Sequence, residues 1–354
     1  MIALENLGFR PYFATQLDRL ARPDLVPARI AADGQNAWHL AGCRASVGEL
    51  SGRLRGELVE TMRPVVGDWV AVADDGERAV IHHLLDRRTA MIRRAAFSTA
   101  KSQMIAANVD CFGIVTSANR DFNVRRIERY MTAIYDSGAS PVMVLNKVDL
   151  VENVTPFIEE LAAVALGVPV IQVSALTGAG IAELRAHIGP GTTFGLIGSS
   201  GVGKSSLANR LIGQDVQHVS EIRGDDARGR HTTTRRELLL LPGGGVLIDT
   251  PGMRELGLIE DGGGVDAAFA DIAEAAEACR FADCGHESEP GCAVRAAIAA
   301  GTISPERWAS YRKLQREVRS AEARRDPLLA AQDRKRWKTI HKAVRAKAKV
   351  TGKP

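Results

Sequence analysis

The chain has 354 residues, 45% of them apolar and 25% charged, with a formal net charge of +4. That length and composition point to two or three domains with sizeable cores. No run of eighteen apolar residues exists, and the best candidate, LAAVALGVPVIQV, is broken by Gly167 and Pro169, which argues against a membrane-spanning helix.

The opening MIALENLGFR lacks a basic-then-apolar leader pattern, so a cytoplasmic location is expected, with no membrane partner. Residues 25–95 carry short alternating pieces (RIAAD, AWHLAG, SGRLRGEL, DWVAVAD, RAVIHHLL) separated by Gly and Asp. They predict a small β-domain, for which a closed barrel of the oligonucleotide-binding kind is one solution. From about residue 98, apolar runs alternate with helical stretches such as 124–136 and 155–166. Strands without polar alternation, spaced by helices, predict a mostly parallel sheet covered on both faces.

The second of these strands ends in VLNKVDL, where Asn146, Lys147, Val148 and Asp149 form N-K-x-D. The Asp149 carboxylate can accept hydrogen bonds from the ring N–H and the exocyclic amine of guanine. Adenine lacks that donor pair, and a site built on such bonds rejects the wrong partner strongly. The Lys147 stem can lie over the ring, and Asn146 can bond its edge and brace the phosphate loop. At the next strand end, Ser174 and Ala175 open S-A-L, and the Ala175 N–H can reach the guanine carbonyl.

The phosphate loop is GSSGVGKSS, Gly198-Ser199-Ser200-Gly201-Val202-Gly203-Lys204-Ser205-Ser206. Its glycines let the backbone wrap phosphates with N–H groups inward, Lys204 reaches the outer phosphates, and the Ser205 hydroxyl can ligate Mg²⁺. The helix starting near Lys204 presents its positive end to the same anion. A polar loop, SEIRGDDARGRHTTTRRE, follows. Thr233, with Thr232 next, is chosen from it to place a hydroxyl on Mg²⁺. The strand Gly245–Ile248 then runs into D-T-P-G, where Asp249 faces the metal's water shell and Gly252 can offer its N–H to a γ-phosphate. Where many GTPases place a glutamine that orients the attacking water, this chain has Met253. Turnover by the isolated protein should therefore be slow, and His231 is the candidate for the missing polar group.

After the GGG run at 262–264, VDAAFADIAEAAEA reads as a helix. Cys279, Cys284, His286 and Cys292 supply three thiolates and one imidazole within fourteen residues, the ligand set of a closed structural Zn²⁺ site. Cys43 and Cys111 stand apart and read as core residues. AVRAAIAAG is a helix stopped by Gly301, and Ser304–Pro305 open the next, whose Trp308, Tyr311, Leu314 and Val318 recur on one packing face. The C-terminal residues 312–354 hold 15 Lys/Arg against 4 Asp/Glu, while the rest of the chain holds 31 against 38. A basic tail on an acidic body points to a polyanionic partner such as nucleic acid.

The motif order here is base clamp, Ala loop, phosphate loop, threonine loop, metal Asp. Ligands of open α/β sheets bind at the carboxyl ends of strands, so one sheet can gather these loops whatever their chain order. The order is that of a circular permutation. It connects the γ-phosphate-sensing segment after Asp249 directly to the cysteine-rich region.

DFNVRRIERY, NKVDL, GSSGVGKSSL, GRHTTT, IDTPGMRELGL and C-x4-C-x-H-x5-C together resemble the circularly permuted, ribosome small-subunit-dependent GTPases of the RsgA/YjeQ family, over nearly the whole length. The resemblance implies an N-terminal oligonucleotide-binding barrel, a central permuted GTPase and a C-terminal zinc domain, placed here at 1–97, 98–260 and 261–354. It also implies a monomer that hydrolyses GTP to GDP, stimulated by the small ribosomal subunit during that subunit's late maturation, and that binds its rRNA. The rival reading is a nucleotide-gated RNA-binding assembly factor with incidental hydrolysis. A metabolic phosphate-loop ATPase is disfavoured by N-K-x-D and the basic tail.

Overall fold

The computed structural model describes residues 2–34, 37–58, 63–93, 103–213, 217–218, 237–249 and 263–325. Contacts divide the chain into two units, 1–257 and 258–354.

The first unit opens with helix α1 (Pro11–Arg19), whose first-turn Pro costs no hydrogen bond. Strands β1 (Val26–Ala32), β2 (Trp38–Ala41) and β3 (Val47–Leu50) form an antiparallel meander. Helix α2 (Gly52–Glu57), β4 (Trp69–Asp74) and β5 (Ala79–Leu84) follow. β3 pairs in parallel with β5, β5 with β4, and β4 returns to β1, which closes a five-stranded barrel. Ala28, Ile30, Leu40, Val70, Val72 and Ile81 fill it. The piece SGRLRGEL, expected as β structure, is helical over α2. The Ser51 hydroxyl accepts the Leu54 N–H at 3.2 Å, and this cap outweighs a weak alternation.

An antiparallel ribbon, β6 (Ala90–Arg93) and β7 (Gln103–Ala107), leads out of the barrel. The alternating part runs β8 (Cys111–Ser117), α3 (Val124–Asp136), β9 (Ser140–Asn146), α4 (Thr155–Val164), β10 (Val170–Gln172), α5 (Ile181–Ala186), β11 (Thr193–Ile197) and α6 (Lys204–Ile212). β12 (Gln217–His218), β13 (Glu237–Leu240) and β14 (Val246–Asp249) complete it, the last beginning and ending one residue later than the sequence indicates. Strands lie in the order β10-β9-β8-β11-β14 with all neighbours parallel, and β13 joins antiparallel. Val115, Val144, Ile171, Phe194, Leu196 and Leu247 pack against Leu184, Leu207 and Leu211 from α5 and α6. Each such buried side chain contributes roughly 1.5–3 kcal/mol. Strand β13 also pairs with β1, Ala32 opposite Glu237, so the ladder continues from the parallel sheet into the barrel.

In the second unit, α7 (Gly263–Ala268) and α8 (Ala270–Glu277) replace the single helix expected there. The break falls at Phe269, which leaves helical geometry (φ −122°, ψ 45°) and buries its ring completely. That ring lies 5.5 Å from Tyr311 and beneath the Arg307 guanidinium at 4.6 Å. Helices α9 (Ala293–Ala299) and α10 (Pro305–Arg325) follow, and the Ser304 hydroxyl accepts the Arg307 N–H at 3.1 Å as the start cap. Tyr311, Leu314 and Val318 are buried on one face of α10. Among the described residues no helix is long and apolar enough to cross a membrane.

Candidate nucleotide site and metal centre

The N-K-x-D, S-A-L and phosphate-loop segments meet at the carboxyl ends of β9, β10 and β11. Asn146, the last residue of β9, is 1% exposed. Its Nδ2 donates to Val202 O at 2.8 Å, and its Oδ1 accepts the Ala175 N–H at 3.1 Å. One side chain thus ties together three loops separated by up to 56 residues in the chain. Lys147 adopts φ +63°, rare for a residue with a side chain, and its Nζ donates to Gly201 O at 2.7 Å. The short 3-10 turn Val148–Leu150 follows, with Val148 half-buried and Asp149 exposed. Ser174 is fully buried, and its hydroxyl accepts the Thr177 N–H at 3.1 Å, closing the turn that displays Ala175.

The phosphate loop runs from β11 into α6, which begins at Lys204. Gly203 has φ +97°, and a Cβ there would lie 2.3 Å from Asn146 Nδ2. Glycine is therefore required both by the backbone turn and by the close approach of the base clamp. Gly198 and Val202 are buried, while Ser200, Gly201, Ser205 and Ser206 are exposed at the mouth. Lys204 Nζ donates to Gly198 O at 2.7 Å and to Ser199 O, which holds the ammonium inside the curve of the loop.

Asp121, from the loop after β8, was not singled out in the sequence as a site residue. The Ser199 hydroxyl donates to Asp121 Oδ2 at 2.5 Å, and Arg126 pairs with the same carboxylate at 3.1 Å. The Ser199 bond, with help from Arg126, holds this carboxyl below its usual range. Asp121 braces the phosphate loop at Ser199, three residues before the Val202 carbonyl that Asn146 holds. The only sequence signal was its place in DFNVRRIERY, the start of α3.

Asp249 ends β14, beside β11, and its backbone pairs with Glu237. Thr232, Thr233, His231, Gly252 and Met253 lie outside the described residues.

In the second unit, Cys279, Cys284, His286 and Cys292 place their ligand atoms within 4.8 Å of one another. Cys279 Sγ lies 3.5 Å from His286 Nδ1 and 4.0 Å from Cys292 Sγ, and Cys292 Sγ lies 3.4 Å from His286 Nδ1. Tetrahedral Zn²⁺ with Zn–S near 2.3 Å requires sulfurs about 3.8 Å apart, so the cluster fits that ion. His286 sits at φ +56°, and its ring meets Trp308 edge-on at 5.8 Å, which fixes the ring's orientation. The Glu289 carboxylate accepts the N–H groups of Gly285 (3.1 Å), Glu287 (2.8 Å) and Ser288 (2.9 Å), gathering the loop that carries Cys284 and His286. Cys43 and Cys111 take no part: burial pushes both thiols up to about 12.

The comparisons agree with this geometry. A family model described as RsgA GTPase matches residues 84–259. The Small ribosomal subunit biogenesis GTPase RsgA of Opitutus terrae is 44% identical over 365 residues, covering 99% of this chain and 100% of that protein. Small ribosomal subunit biogenesis GTPase RsgA 1 of Listeria innocua is 46% identical over 297 residues, 84% of each chain. The crystal structure of YjeQ from Thermotoga maritima superposes with a TM-score of 0.64 at 26% identity, over 83% of this chain and 98% of that one. With a permuted sheet, three converging nucleotide-type loops and relatives this similar over nearly their full length, the chain belongs to the RsgA family of GTPases.

Proposed function

We propose that this protein binds GTP, hydrolyses it to GDP and phosphate, and does so on the small ribosomal subunit as a step in that subunit's maturation. The observation that carries the reading is the Asn146 bridge, which joins the base-clamp strand, the Ala175 loop and the phosphate loop into one site. In this reading Asp149 selects guanine, the Lys147 stem covers the ring, and the guanine carbonyl shares the Ala175 N–H with Asn146 Oδ1. The amides of Gly198–Ser206 and the Lys204 ammonium hold the phosphates. Ser205, Thr233 and Asp249 would hold Mg²⁺, directly or through water, and the ion would neutralise charge on the phosphates. His231 supplies the polar group that Met253 lacks. The Cys279–Cys284–His286–Cys292 set holds Zn²⁺ in a structural role, because all four positions of such a site are filled by protein.

The barrel, the metal-binding unit and the basic residues 312–354 bind rRNA, and the protein acts as a cytoplasmic monomer. The test is GTP turnover measured with and without purified small subunits across a salt titration, with ATP as competitor. Slow basal turnover, strong stimulation that weakens with salt, and indifference to ATP are expected. Equal turnover with and without subunits would overturn the reading in favour of a nucleotide-gated RNA binder. Retained stimulation in His231→Ala would remove that residue's role alone.

A further inference from the structure

Helix α6 carries the phosphate-loop lysine at its first residue and, near its other end, Arg210. The Arg210 guanidinium reaches back across the sheet's edge to the S-A-L loop. Its Nε donates to Ala175 O at 2.9 Å and its Nη2 donates to Leu176 O at 2.6 Å. These are two successive carbonyls, and a planar fork of donors suits them where a single ammonium does not. The backbone from which Arg210 springs is itself held. Arg185 of α5 donates to Arg210 O at 2.8 Å and to Leu211 O at 3.1 Å, satisfying carbonyls that the helix end leaves open.

The loop needs such a hold. Its inner side is closed by Gly178 N–H to Ser174 O at 2.8 Å and Ser174 N–H to Ala179 O at 3.0 Å. Its tip stands in solvent at Leu176, 75% exposed, while Ala175 beside it packs only partly against the sheet core. The tip carries Ala175, whose N–H donates to Asn146 Oδ1 at 3.1 Å and is the group that the guanine reading turns toward the base edge.

We propose that Arg210 is a positioning residue for guanine recognition, holding the Ala175–Leu176 backbone against the phosphate-binding helix so that one rigid element sets the span from phosphates to base. This rests on the guanine-nucleotide reading above. Arg210 touches no part of the ligand in this scheme; it acts through Ala175. Its removal should therefore be felt at the 6-oxo group of the base and not at the phosphates.

The experiment measures dissociation constants of the full-length protein for GDP and for the diphosphate of 2-aminopurine riboside, which lacks the 6-oxo group. Wild type, Arg210→Ala and Arg210→Lys are compared. Arg210→Ala should weaken GDP binding about tenfold while changing the 2-aminopurine nucleotide less than about twofold, with Arg210→Lys between, given what two such hydrogen bonds contribute. An equal loss for both nucleotides, or no loss for GDP, overturns the proposal. Asp149→Asn, assayed beside it with GDP and XDP, tests the parent reading separately. If it does not move preference toward xanthine, the guanine site itself is wrong. If it does while Arg210→Ala is silent, only the role of Arg210 falls.

Discussion

Asn146 holds the site together, and its replacement tests the convergence of the loops directly. Asn146→Ala leaves Val202 O and the Ala175 N–H without their partner. Losing a buried pair of this kind costs roughly 1–3 kcal/mol, so GDP affinity should fall about 10- to 100-fold, read by titration with a fluorescent nucleotide. The cysteines make a second prediction at this scale. Cys43 and Cys111, raised from 9.0 to about 12 by burial, should resist a thiol reagent at pH 8 in the folded protein. Cys279, Cys284 and Cys292 should react once a chelator strips the metal and stay quiet before. The sign of the linkage follows from the raised values. The two half-buried thiols favour folding fully below about pH 9, and that contribution is lost as pH climbs through the window from 9 to 12. The meeting of Asn146, the Ala175 loop and the phosphate loop was legible in the sequence because each of these segments follows the end of an apolar strand. Asp121 was not, because its role exists only when the loop after β8 approaches Ser199, 78 residues away.

Among the elements, the strands of the parallel sheet were readable because burial on both faces leaves uninterrupted apolar runs. Helix α3 was found residue for residue, since Asn123 caps it by accepting the Arg126 N–H at 3.0 Å and its apolar positions recur at helical spacing. Short elements were less readable. Helix α2 is six residues long, too few for periodicity to outvote the alternation of SGRLRGEL, and the ribbon β6–β7 has no turn signature. The metal loop shows the same division. Four ligands announce themselves by type, but nothing in HESEPGC separates Glu289 from Glu287. The structure gives Glu289 three amides and Glu287 a surface pair with Arg312 at 2.7 Å. Glu289→Ala should therefore lower zinc affinity about 10- to 100-fold, as loss of groups that orient metal ligands does, measured by competition with a chromophoric chelator. Glu287→Ala should leave it within about twofold, because an exposed ion pair is worth little.

Across the first unit, the barrel and the nucleotide-binding sheet share one hydrogen-bonded ladder, which no local pattern could disclose because β1 and β13 are two hundred residues apart. Glu237 pairs with Ala32 of the barrel on one side and with Asp249 on the other, so β13 is wedged between the barrel and β14. The loop 65–68 reinforces this join. Gly67 N–H donates to Ile30 O at 2.9 Å, Ala107 N–H donates to Val66 O at 3.0 Å, and Asn108 Nδ2 donates to Gly67 O at 3.1 Å. Arg29, fully buried, donates to Leu7 O, to Gly67 O at 3.3 Å and to Asn108 O at 3.2 Å, binding the N-terminal segment into the same knot. At Gly67, φ is +93° and a Cβ would lie 2.0 Å from Ala107 O and 3.4 Å from Ile248 of β14. Gly67→Ala must therefore push the loop 65–68 off the Ala107 backbone at the end of β7 and loosen the join of barrel and sheet, at a cost of roughly 2–3 kcal/mol from strain and lost contacts. If the ladder makes one cooperative body, the variant lowers the barrel's melting temperature, followed by fluorescence of the buried Trp38 and Trp69, and the melting of nucleotide binding by the same amount. A barrel that loosens while nucleotide binding keeps its wild-type midpoint would mean that the shared strand does not couple them, and that a signal received by the barrel must reach the threonine loop by another route.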